Sequence, residues 1–94
     1  MNHAADTERL FLRLTDETPN EIKMKVDWSL EISTAIFNAL RQKKMTQKEL
    51  AERLGTSAAA VHSWLGGNHN FTLSTLARIS AELGVPLITV TKQQ

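Results

Sequence analysis

From Trp28 onward the apolar residues fall at helical intervals. Trp28, Ile32, Ala35, Ile36, Ala39 and Leu40 mark one face of a helix, with polar residues around the rest. The stretch ends in Arg41, Lys43 and Lys44, cations that suit the negative end of a helix dipole, and Met45 breaks the pattern. Thr46-Gln47-Lys48-Glu49 then has the Ser/Thr-x-x-Glu form of a capping box, which predicts a helix running to Leu54 with Leu50, Ala51 and Leu54 inward. Gly55 stops it where a left-handed turn is needed. Ser57 stands ready to cap a further helix over 58–65, with Val61, Trp64 and Leu65 inward and Gly66-Gly67-Asn68 closing it. Thr72 caps the next, which buries Leu73, Leu76, Ile79 and Leu83 and stops at Gly84, ahead of Pro86. The tail 87–91 alternates and is rich in β-branched residues, the pattern of a short strand. A lone strand leaves its backbone unpaired, so this one needs a partner from the same chain or from a second copy.

The N-terminal third carries two patterns at once. Leu10, Leu12 and Leu14 alternate with Arg9, Phe11 and Arg13, and Ile22, Met24 and Val26 alternate with Lys23 and Lys25, which admits a hairpin. Thr18-Pro19-Asn20-Glu21 opposes it with a capping threonine, proline at the first helical position and glutamate at the third. Leu10 and Leu14 also share a helical face, with Asp6 or Thr7 as cap. The expectation is two helical segments, the second starting at Pro19 and able to run on into the Trp28 helix; the hairpin is the alternative. The chain divides accordingly into an arm over 1–26, a central domain over 27–85 and a tail over 86–94.

Composition narrows the classes. The chain has 94 residues, one domain's worth, and 41% of them are hydrophobic, which argues against disorder over the whole length. No uninterrupted apolar run is long enough to span a bilayer. Asp6 and Glu8 stand where a secretion signal would be basic and then apolar, so a cytoplasmic location is expected. The absence of cysteine excludes disulfides and thiolate metal sites. The formal net charge is only +1, so one copy should hold phosphate weakly. Tight binding to a nucleic acid would take two copies and a few well-placed contacts.

Two short helices joined by a tight glycine turn, framed by a helix before and a helix after, form a helix-turn-helix arrangement. The turn must be small so that the second helix crosses the first and protrudes. The inward positions must be apolar to lock that angle, and Ala51 must be small because the helices approach closely there. Ala51, Gly55, Val61 and Trp64 meet these conditions together. The run Met45-Thr-Gln-Lys-Glu-Leu-Ala-Glu-Arg-Leu-Gly55, continued by Val61, Trp64-Leu65 and Gly67, resembles the phage-repressor-like family of Cro/C1-type and Xre-type regulators. The stretch from His69 to Leu76 is similar to the loop and following helix of a bacterial subgroup. The resemblance covers roughly Trp28 to Val90. It implies an all-α, lambda-repressor-like bundle of roughly four to five helices, here with a helical N-terminal arm and a short C-terminal strand. It also implies binding of double-stranded DNA as a homodimer on a two-fold-symmetric site.

By the same resemblance Gln47 grips a phosphate at the start of the motif, and Ser57 caps the recognition helix near the DNA backbone. Ala58, Ala59, His62 and Ser63 face the major groove. Lys44 and Lys48, beside the start of the motif, and Asn68 and His69, in the loop after it, complete the candidate DNA-binding set. The pattern departs from its relatives at Ala58 and Ala59, where long polar side chains are usual. An alanine methyl can pack on a thymine methyl but reads no donor or acceptor. Direct readout should therefore be thin, with more weight on phosphate contacts, DNA shape and dimer spacing.

Plainer roles stand beside these. Trp64 is expected in the core, and Trp28 in the core or on a dimer surface. The alanines from Ala58 to Ala60 are also strong helix formers, and Lys43, Lys44 and Lys48 also suit a solvated face. His62 and His69 do not share a helical face and have no third ligand nearby, so no metal or other cofactor is expected. Without cysteine, nucleophile elbow or glycine-rich phosphate loop, no enzyme is expected either. The expected function is a repressor. One alternative is an antitoxin that autoregulates its operon and binds a toxin through a terminal arm, and another is an interaction scaffold that has lost DNA binding.

Overall fold

A long amphipathic run without internal glycine or proline becomes one helix. In the computed structural model, which describes residues 18–92, α1 spans Asn20–Lys43. Pro19 precedes it with φ −56° and ψ 143°, and its carbonyl accepts from the amides of Ile22 and Lys23. The helix therefore begins one residue after the expected Pro19, within the usual slack of helix ends. It passes without a break through the junction expected between residues 26 and 27. Over Ile22, Met24 and Val26 it replaces the hairpin alternative. The other half of that alternative, Leu10 to Leu14, lies outside the described residues, as does the first helical segment of the arm.

Three shorter helices follow: α2 (Gln47–Leu54), α3 (Ala58–Trp64) and α4 (Leu73–Leu83). Each starts on the side chain expected to cap it. The hydroxyls of Thr46, Ser57 and Thr72 accept from the amides of Glu49, Ala60 and Thr75 at 3.1, 3.1 and 3.2 Å. A cap of this kind contributes about 1 kcal/mol, which matters for helices this short. The capping box at Thr46 is one-sided: its hydroxyl also donates to Glu49 Oε1 at 3.3 Å.

The stops share one device as well. After α1, α2 and α4 the amides of Met45, Thr56 and Val85 donate back five residues, to the carbonyls of Leu40, Ala51 and Ser80. Such a closure puts the residue between in the left-handed region. Gly55 takes it at φ +65° without cost, whereas Lys44 takes it at φ +52° as a residue with a Cβ.

The core gathers Ile32, Ile36, Ala39 and Leu40 of α1, Leu50, Ala51 and Leu54 of α2, Val61 and Trp64 of α3, and Leu76, Ile79 and Leu83 of α4. α2 packs against both α3 and α4. An Arg78 guanidinium nitrogen donates to the Leu54 carbonyl, tying the end of α2 to α4.

Three expectations are corrected. Of the two places expected for Trp28, the core is excluded, since it is 57% exposed, and Leu73, expected buried, is 70% exposed, although both lie on the apolar face read from the sequence. None of residues 19–28 is buried, because the first turns of α1 run out beyond the bundle. Leu73 opens α4, and side chains on a helix lean toward its N-terminus, so this one projects past the edge of the core. The tail 87–91 is not a strand; among the described residues there is none for it to pair with. The tail is held at its root instead, where Leu87 is buried and its amide donates to Ser80 Oγ at 3.1 Å.

Candidate nucleic-acid interface

α3 is seven residues long and shows two unlike faces. Inward, Val61 is fully buried and Trp64 is 6% exposed. Outward, Ala58, Ala59, His62 and Ser63 are all exposed, and Ala60 is partly covered at the flank. The helix follows the Gly55 turn directly, with Ser57 at its start, so this face stands at the surface of the bundle. Between Arg53 and Arg78 the chain carries no Asp, Glu, Lys or Arg, so α3 and the loop after it present no carboxylate to an approaching phosphate.

The polar groups at the far end of α3 are organised. Ser63 Oγ lies 3.0 Å from His69 Nδ1, and the His69 ring meets the Phe71 ring edge-on with centroids 4.7 Å apart. His69 is thereby half-buried and joined to the outward face through Ser63, while Asn68 stays exposed.

A second group forms around the start of α2. Lys44, Met45, Thr46 and Gln47 line a shallow depression together with Phe37, Arg41 and Leu65. Lys44, Gln47 and Lys48 are exposed, so the cationic end of α1 and the first turn of α2 face the solvent side by side. Of the candidates, the structure joins His69 to Ser63 by a hydrogen bond and sets Lys44 and Gln47 on the rim of one depression. Lys48, Ser57 and Asn68 are exposed. No group of three or more His, Cys, Asp or Glu is gathered for a metal among the described residues, and no helix there is long and apolar enough to cross a membrane.

Sequence reasoning missed Ser29 and Ser33. Both are buried on α1, one turn apart, on the side where Trp28 was expected. Ser33 Oγ donates to the Trp64 carbonyl at 2.6 Å and accepts from the Gly67 amide at 3.2 Å, and Ser29 Oγ donates to the His69 carbonyl at 3.2 Å. The available signal was a pair of small hydroxyls at i and i+4 interrupting an otherwise apolar face; a hydroxyl placed there is costly unless it finds a partner. Gly67 belongs to the same contact. It sits at φ +83°, and a Cβ there would come within 3.3 Å of Leu30 Cδ1.

In comparison with protein families, a model described as helix-turn-helix matches residues 36–90, from the middle of α1 through α2, α3, α4 and most of the tail. No curated protein and no solved structure matches the chain.

Proposed function

The chain belongs to the Cro/C1-type helix-turn-helix family of DNA-binding transcriptional regulators, and on that premise we propose that it is a repressor that binds a palindromic operator as a homodimer. The observation that carries the proposal is the outward face of α3, exposed and free of acidic residues while Val61 and Trp64 hold it from behind. In this reading α3 is the recognition helix and enters the major groove. Ala58 and Ala59 pack on thymine methyls, and His62 and Ser63 supply the polar contacts to bases. Gln47, Lys44 and Lys48 hold phosphates flanking the groove, with Ser57, Asn68 and His69 nearer the backbone. Two lysines per copy give about four phosphate contacts per dimer, hence a slope of log affinity on log salt of roughly −3 to −4.

Selection of bound duplexes from a random pool tests the whole reading. Recovery of an inverted repeat, with half-sites roughly one helical turn apart, is the expected result. Recovery of no preferred sequence at any salt concentration overturns it. Within the site, Gln47→Ala combined with Ser63→Ala is expected to weaken operator binding by about 2 kcal/mol, one hydrogen bond from each residue. The melting temperature should not change, since both side chains are exposed.

The homodimer is supported by apolar surface that the single chain leaves uncovered. Trp28, Ile88 and Phe71 line a groove of about 580 Å³ between α1 and the tail, and Val90 beyond it is 77% exposed. Leu87 is part of the core, so removing the tail would disturb folding as well as association. The cleaner variant is Ile88→Lys with Val90→Lys. Sedimentation should show weaker self-association with an unchanged fold; a dimer as tight as the original removes the tail from the interface.

One observation favours a second reading, the antitoxin. Ile22, Met24 and Val26 are about half exposed on the overhanging turns of α1, a surface for which DNA binding has no use. Co-purification with the product of an adjacent gene would move the chain to that class.

A further inference from the structure

We propose that Ser33, supported by Ser29, is the positioning residue of the recognition helix, fixing the end of α3 and the following loop to α1. The inference rests on the DNA-binding reading of α3.

A helix of two turns does not hold its own shape in water. The cap at Ser57 is local to α3 and moves with it. Packing of Val61 and Trp64 sets the angle of the rod, but none of the residues 66–70 that leave it packs into the core. The exit of α3 is held by hydrogen bonds instead, and these run through another helix. A glycine at such a stop ordinarily returns an amide to a carbonyl of its own helix. Here Ser33 Oγ is interposed between the Trp64 carbonyl and the Gly67 amide, serving both at once. One turn away, Ser29 takes the His69 carbonyl. The His69 ring in turn meets Ser63, on the face that points outward.

The hydroxyls of α1 are thus linked, through residues 64–69, to a side chain assigned to the groove. The same α1 carries Arg41 and Lys43 in its last turn, with Lys44 as the residue that ends it, beside the start of α2. One rigid helix therefore sets base-reading and phosphate-holding groups in a common frame.

Ser33→Ala is compared with Ile79→Val, a core variant in α4, at low temperature where both are folded. Two quantities are read: the ratio of affinities for the selected operator and a scrambled duplex, and amide hydrogen exchange. For Ser33→Ala the ratio should fall about tenfold or more, since the variant loses two hydrogen bonds. Exchange at residues 65–69 should rise by a similar factor, while α2 and α4 keep their protection. Ile79→Val should change neither, which separates positioning from general stability.

A folded Ser33→Ala protein with the original ratio and original exchange overturns the proposal. Should that variant fail to fold, Ser29→Ala carries both measurements, with faster exchange centred on His69 and a smaller loss of ratio supporting it and no change overturning it. If the unaltered protein prefers no duplex, the DNA reading has failed, and exchange at 65–69 alone decides whether the serines position this segment.

Discussion

Replacing Trp64 by alanine is expected to leave the protein largely unfolded at physiological temperature. The side chain is the largest that α3 contributes to the core, and it is almost completely covered. Truncating a buried aromatic of this size costs about 3–5 kcal/mol, through lost transfer energy and the cavity left behind. A small domain has about 5–15 kcal/mol in total, and one of this length belongs toward the lower end. The backbone worsens the loss. The Trp64 carbonyl is the acceptor for Ser33, so relaxation of α3 into the cavity pulls on a buried hydrogen bond. At about 4–8 °C per kcal/mol for domains of this size, the melting temperature should drop by at least about 12 °C in a thermal scan followed by circular dichroism. A curve superimposable on that of the original protein would show that α3 is not pinned from behind.

Most of the bundle was legible because its signals are local. Thr46, Ser57 and Thr72 sit where a side chain can reach an amide three residues on, and each does so. Gly55 and Gly84 stop the helices they were expected to stop, and the inward positions of α2 and α3 follow the helical period. Trp28 and Leu73 went astray because periodicity gives the angle of a residue around a helix but not its height along the core. Both have the right angle and lie beyond the edge.

Ser29 and Ser33 were missed for a complementary reason. A pattern that reads apolar as buried passes over a hydroxyl whose burial depends on backbone groups some thirty to forty residues away in sequence. The strand expected over 87–91 depended on a partner that a single chain does not supply. Within the candidate interface, the outward positions of α3 could be read from its inward ones. The pairing of Ser63 with His69 could not, because it depends on how the loop after Gly67 folds back.

Ala59→Glu is expected to move stability and DNA binding in opposite directions. Ala59 is the second residue of α3, exposed, in a first turn that has no acidic residue. A carboxylate there meets the positive end of the helix and should add about 0.3–1 kcal/mol, raising the melting temperature by a few degrees. Under the proposed docking the same carboxylate is carried into the major groove between two rows of phosphates, once in each half-site. Like-charge juxtaposition costs several kcal/mol, so operator affinity should fall by at least about a hundredfold. Ala59→Gln isolates the charge: it has nearly the same size and reach as glutamate, so it should lose the methyl contact of Ala59 but far less affinity than the carboxylate does. Loss of binding with glutamate but not glutamine, in a protein that melts no lower than the original, puts this face of α3 against DNA. Equal operator affinity for all three proteins would mean that α3 does not enter the groove, however well the bundle holds it outward.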